Sequence, residues 1–283
     1  MRRWWVLGGV IVAGDASAEP ACTAPSQVGA LQDASLQEVS GLAVAGDGSM
    51  WAIEDSGNRG ALSGIDAAGR RVARVDLTGV TNTDWEDVVA GPCGATDARE
   101  CLYVADVGDN DAKRADVGIY RVPVPATGAQ AATPEVLRFR YADHPRDAEA
   151  LVVTPAGRIL VFSKRDNGVA HFFEVPAVFG GGEIQVAREV GALPVLASGG
   201  VGGRGSWVTS AALRGDGGLL LRTYTAIWGY AAKGEGWDPA SATALPAAVE
   251  AQGEAIAWDD AKRGYWQVSE GTHAPISFTA CGT

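Results

Sequence analysis

Glu149-Ala150-Leu151-Val152-Val153-Thr154-Pro155-Ala156-Gly157-Arg158-Ile159-Leu160-Val161-Phe162 decides how this chain is read. An acid opens the stretch and an apolar run of strand length follows. Pro155-Ala156-Gly157 then turns the chain into a second apolar run that ends on polar residues. Short apolar runs bounded by turn residues read as strands. The same grammar starts again at Ser40-Gly41-Leu42-Ala43, Glu86-Asp87-Val88-Val89, Thr209-Ser210-Ala211-Ala212 and Glu254-Ala255-Ile256-Ala257. Gly46-Asp47-Gly48 and Gly215-Asp216-Gly217 supply turns after two of these starts. Successive starts lie 46, 63, 60 and 45 residues apart. Repeats of about 40–50 residues, each carrying about four strands, are the sign of a β-propeller. The longer intervals leave room for loop insertions at 126–134 and 179–183.

The rest of the chain agrees with an all-β fold. Ser49 to Ile53, Cys101 to Val104 and Val117 to Val122 also have strand length, and Gly, Asp, Asn and Pro turns separate them. No segment sustains a helical apolar stripe over three turns; the alanine-rich 240–249 comes closest, and Pro239 and Pro246 interrupt it. After the fifth start only about thirty residues remain, enough for three strands. A strand from the region 22–30 would complete the last blade and close the ring, which removes exposed sheet edges. The expectation is five blades, with six as the alternative.

Composition narrows the function. The chain has 283 residues, 34 acidic against 23 basic, a formal net charge of -11, 47% hydrophobic and 20% charged residues. Such a chain is too apolar to be disordered and too acidic to grip nucleic-acid phosphates. Arg2 and Arg3, the apolar run from Trp4 to Gly14 and Ala16-Ser17-Ala18 make residues 1–18 a predicted signal peptide. The run is too short to span a bilayer, and no other stretch is apolar enough. Residues 19–283 are then one secreted or periplasmic propeller domain. Export suits the four cysteines, which are expected to form disulfides. Three pairings are open. Cys93 with Cys101 and Cys22 with Cys281 are favoured, the first across a turn and the second across the chain ends. Zinc is disfavoured, because there is no Cys-x-x-Cys pair or nearby histidine.

In a propeller the loop leading into each first strand and the loop leaving each second strand open on one face. The first set carries Glu38, Asp84, Glu86, Asp87, Asp147, Glu149 and Glu254. The second carries Glu54, Asp55, Asp106, Asp109, Asn110, Lys164-Arg165-Asp166, Arg222-Thr223 and Glu270. Superposing the repeats places Asp55, Asp106, Lys164, Thr223 and Glu270 at one equivalent position, and Ser40, Glu86, Glu149, Thr209 and Glu254 at another. Carboxylates crowded at one mouth repel unless a cation or protons neutralise them. Hard oxygen donors in this number suit calcium. The expected metal ligands are Asp55, Glu86, Asp106, Asp109, Glu149, Glu254 and Glu270. The competing reading is that some of these acids bind backbone amides and brace loops.

Asp84-Trp85-Glu86-Asp87-Val88, Ala105-Asp106-Val107-Gly108-Asp109-Asn110, Asp147-Ala148-Glu149-Ala150-Leu151 and Gly253-Glu254-Ala255-Ile256 resemble segments of secreted bacterial propellers described as phytase-like or esterase-like. The resemblance implies a calcium-binding propeller and hydrolysis of phosphate esters. Such phytases hold phosphates with several Lys and Arg, whereas this rim offers mainly Lys164, Arg165 and Arg222, with Lys113 and Arg114 nearby. A metal-dependent hydrolase here would use Glu149 and Glu86 as ligands or general bases, and Lys164 and Arg165 to stabilise developing negative charge. Its substrates would be phosphate esters, esters or lactones. The alternative is a non-catalytic propeller that binds a glycan, peptide or envelope partner at the mouth. Gly200-Val201-Gly202-Gly203-Arg204-Gly205 precedes a strand and reads as a loop, not a dinucleotide site. His144, His171 and His273 are scattered, and the tryptophans read as packing between blades, with Trp85 the exception to test.

Overall fold

Short strands with apolar residues on both faces must be covered on both sides, and a ring of sheets covers them all. The computed structural model describes residues 21–164, 168–196 and 205–282. The expected leader 1–18, Arg165 and most of the glycine-rich stretch 200–205 lie outside the described residues. Among the described residues there is no α-helix, and hence no helix long and apolar enough to cross a membrane.

The strands fall into antiparallel units of four that follow the repeat. β1 (Ser26–Ala30) precedes the first unit, which is β2 (Val39–Val44), β3 (Met50–Glu54), β4 (Ala61–Ile65) and β5 (Arg71–Leu77). The second begins with β6 (Trp85–Gly94), β7 (Asp97–Asp106) and β8 (Val117–Pro123). The short β9 (Ala131–Ala132) runs parallel to β5, so part of the expected insertion 126–134 extends the first sheet. β10 (Glu135–Tyr141) then completes the second unit. The third is β11 (Ala148–Val153), β12 (Ile159–Ser163), β13 (Val169–Val175) and β14 (Ile184–Pro194). In the fourth, β15 (Val208–Leu213), β16 (Leu219–Thr223) and β17 (Ile227–Tyr230) are followed by a small hairpin, β18 (Ala232–Lys233) and β19 (Gly236–Trp237), and then β20 (Thr243–Leu245). The last has β21 (Gly253–Asp259), β22 (Gly264–Ser269) and β23 (Pro275–Ala280), and its fourth strand is β1.

The first strands β2, β6, β11, β15 and β21 pack side by side in that order, and β21 returns to β2. A separate apolar cluster fills each junction. Trp51, Leu62 and Val75 meet Trp85, Leu102 and Val104 between the first two units. Ala212, Leu220 and Ile227 meet Ile256 and Tyr265 between the fourth and the last. Trp85 is fully buried at its junction and makes no platform for a ligand. The predicted closure by an N-terminal strand is what forms: Ser26 pairs with Phe278, and the Cys22–Cys281 disulfide locks the two ends together. Cys93–Cys101 clips the long β6–β7 hairpin, which with the loop 107–116 accounts for the 63-residue interval.

The register corrects one expectation. Each first strand carries a β-bulge at the same place, so that Ser40, Glu86, Glu149, Thr209 and Glu254 are skipped in the pairing. Across from this step stand Glu54, Asp106, Ser163, Thr223 and Ser269. Asp55, Lys164 and Glu270 therefore sit one residue beyond Asp106 and Thr223. Alignment by chemical type slipped by one, because a one-residue shift is invisible in a loop until the hydrogen bonds are seen.

Candidate metal centre at the channel mouth

A bulge turns its extra side chain out of the regular alternation. Here it does so five times around one mouth. Ser40 and Thr209 spend their hydroxyls on the backbone of the following unit, Ser40 on Trp85 O at 2.9 Å and Thr209 on Gly253 O at 3.0 Å. The other three bulge residues are the glutamates Glu86, Glu149 and Glu254, each at most 5% exposed. All three have pKa values raised above the ordinary carboxylate range, chiefly by burial. Glu149 is raised to about 8, because burial and Asp147 outweigh the opposing charge of Lys164. Next to burial, Glu149 is the strongest influence on Glu86 and on Glu254.

Carboxylate oxygens of Asp55, Asp84 and Glu86 lie within 4.8 Å of one another. Burial and Asp55 raise Asp84 to about 6. Gly108 makes this convergence feasible, since a Cβ there would overlap Glu86 Oε1 and the Asp84 carboxyl. Glu270 stands half-buried beside the group, and its pKa is raised by burial, Asp55 and Glu38. The Lys164 ammonium is buried against the Glu149 carboxylate and lies 5.8 Å from the centre of the Tyr224 ring. Burial opposes its charge, yet Glu149, Tyr224 and Glu86 hold its pKa above the usual lysine value. Gln252 donates to Glu254 Oε1 at 2.8 Å and fixes that carboxylate.

Of the expected ligands, Asp55, Glu86, Glu149, Glu254 and Glu270 thus share one electrostatic neighbourhood. Asp106 and Asp109 have other partners. Asp106 pairs with Arg114 Nη2 at 2.8 Å and accepts the Asp84 amide at 3.2 Å. Asp109 accepts the amides of Lys113 at 2.9 Å and Arg114 at 2.7 Å, the loop-bracing role weighed for such acids. Arg222 is not an open rim cation. It is buried between β16 and β21, where it pairs with Glu250, donates to Ala255 O at 2.9 Å and feels the charge of Glu254. Burial lowers its pKa to about 10. Lys113 pairs with exposed Asp111, and His273 turns away to Leu31 O.

Asp84 joins the cluster although it is not among the expected ligands. Its signal was an acid two residues before a bulge glutamate, a spacing repeated in Asp147-Ala148-Glu149. Asp87 also plays a different part from the one its loop suggested. It is wholly buried on the ring axis, and its carboxylate accepts Val88 N at 2.9 Å, Leu151 N at 3.0 Å, Ala211 N at 3.3 Å and Ser210 Oγ at 3.1 Å. Ser210 Oγ accepts Ile256 N at 3.3 Å in turn. The carboxylate thus ties three units together, and Ser210 extends the network to a fourth.

The ring of four-stranded units around a closed axis is a β-propeller. The aldose sugar dehydrogenase of Streptomyces coelicolor, solved with PQQ bound, is similar to it with a TM-score of 0.55 and 11% identity, over 94% of this chain and 99% of that one. A glucose dehydrogenase is similar with a TM-score of 0.52 and 11% identity, over 92% and 100% of the two chains. At this identity the likeness is one of fold. No protein-family model matches the chain, and no curated protein is similar to it in sequence.

Proposed function

We propose that this exported β-propeller binds a divalent cation, calcium by its donor set, and hydrolyses a neutral ester or lactone at the acidic mouth. The convergence of Asp55, Asp84 and Glu86 oxygens within 4.8 Å carries the reading. Three buried or half-buried carboxylates at that separation are costly without a counter-charge, and hard oxygens in this number match calcium. Glu149, Glu254 and Glu270 add negative charge around this group. A cation held there supplies Lewis acidity toward a carbonyl oxygen.

The chain's own residues would do the remaining work. Glu149, raised to about 8, can hold a proton near neutral pH and act as general acid or base. Lys164 fixes Glu149 and places a positive charge where an oxyanion develops. Tyr224 and the buried walls exclude water from that pair. Phosphate esters are disfavoured relative to neutral acyl substrates. Lys164 is the cation held directly against these carboxylates; Arg114 acts on Asp84 while paired with Asp106, and Arg222 acts on Glu254 while paired with Glu250. The two disulfides fit an exported protein.

Calcium titration by calorimetry, with turnover of aryl acetates, lactones and phosphomonoesters in calcium and in chelator, tests the proposal. Saturable calcium binding with chelator-sensitive turnover of an ester or lactone is the expected result. Calcium binding without turnover of any class would leave the glycan- or peptide-binding propeller as the better account. Absence of calcium binding would remove the metal as well.

A further inference from the structure

The loop after β7 and the segment 139–146 line a cavity of about 140 Å³ in which arginines and aspartates are mixed. That is well beyond the roughly 10–15 Å³ needed to hold one water. Its acids are already satisfied: Asp109 by two backbone amides, Asp116 by Arg138, and Asp143 by Arg146 and His144. Its donors are not. Tyr141 is 5% exposed, and its hydroxyl is buried without a hydrogen-bond partner. The Arg146 guanidinium lies 4.8 Å from the centre of the Phe173 ring and gives one edge to Asp143, while its Nε is buried without a partner. Tyr141 lines the cavity together with Asp109, Arg114 and Arg146. Arg140 also lines the cavity and reaches only the carbonyl of its neighbour Tyr141, at 3.4 Å.

Unmatched buried donors are costly, and an acceptor relieves them. We infer that this cavity is a binding site for a small monoanionic carboxylate, held by Tyr141 Oη and Arg146 Nε with Arg140 at its rim. The partners of the arginines decide the class. Arg114 is held by Asp106 and Arg146 by Asp143, which leaves Arg140 at the rim as the lining arginine without an acid partner. One uncommitted cation beside two unmatched donors suits a carboxylate, whereas a phosphate dianion would bring surplus charge against Asp109 and Asp147. The site does not depend on the mouth being catalytic. Its nearness through Arg114 and Asp109 nonetheless fits a ligand that carries a carboxylate.

Thermal melting of the intact protein in sodium acetate, against equal sodium chloride, sodium phosphate and acetamide, tests the site. At ten times its Kd, acetate should raise the midpoint by about 2–4 °C over chloride. Acetamide should give no shift, and phosphate less than acetate. Tyr141→Phe and Arg146→Gln should each abolish the acetate shift. Tyr141→Phe serves as the control for folding, since it removes one oxygen that has no partner. Equal shifts with acetamide, no shift with acetate, or an acetate shift retained in both variants would each overturn the assignment and leave a water-filled cavity.

Discussion

Asp87→Asn asks whether one buried carboxylate holds the propeller together at its axis. Four donors from three units converge on Asp87, at 2.9 to 3.3 Å. As a carboxylate it accepts from all four. Burial pushes its pKa up, and the same four hydrogen bonds oppose that shift. An asparagine of equal size keeps one oxygen and turns an NH₂ toward the rest. On the side now facing Leu151 N and Ala211 N, two amides lose their acceptor and meet a donor. A buried donor left unmatched costs about 1–3 kcal/mol. Two of them, offset in part by removing a buried charge, give a net loss of about 2–4 kcal/mol. Urea unfolding with both disulfides intact measures this directly, and the melting midpoint should fall by roughly 5–15 °C. If Asp87 is instead held protonated, the amide replaces it with little change. A variant within about 0.5 kcal/mol of the wild type would refute the ionic brace.

Other perturbations separate the site from the scaffold. Gly108→Ala should push Glu86 and Asp84 apart and weaken calcium binding at least tenfold by calorimetry, with the melting midpoint of the metal-free protein nearly unchanged. Glu149→Gln leaves buried Lys164 without its anion and should lower both calcium affinity and any chelator-sensitive turnover; an unchanged calcium titration would sink its assignment. Asp84 is held at about 6 in the folded protein against an ordinary 3.8, so the fold keeps its proton to higher pH than the unfolded chain does. The stability this adds in acid is lost between about pH 4 and pH 6, and the metal-free melting midpoint of the wild type should fall relative to Asp84→Asn across that window. Parallel curves would mean that Asp84 is not crowded. Replacing Cys22 and Cys281 by serine opens a loop of 259 residues, and replacing Cys93 and Cys101 opens one of 8. Chain entropy puts the ceilings near 5.5 and 2.5 kcal/mol, so urea unfolding should show the terminal pair to matter about twice as much.

Much of this molecule was legible in one dimension. Strand length, turn residues and a repeat are local properties, and they survive translation along the chain. The five starts therefore marked the five first strands, and the acids at those starts marked the mouth. Chain-end closure was legible for the same reason: three strands remained for the last unit and one unassigned strand stood at the front. What could not be read was which acids point together. Asp106, Asp109 and Asp87 have the same composition signal as Glu86 and Asp84, but Arg114, two loop amides and the axial donors claim them. Arg222 looked like a rim cation until Glu250, 28 residues away, took it into the interior. The sequence by itself determined an acidic, disulfide-bearing ring of strands and the end of it where the acids gather. Only the tertiary structure decided, through a one-residue bulge in each first strand and the partners each charge meets across units, which carboxylates remain for a cation.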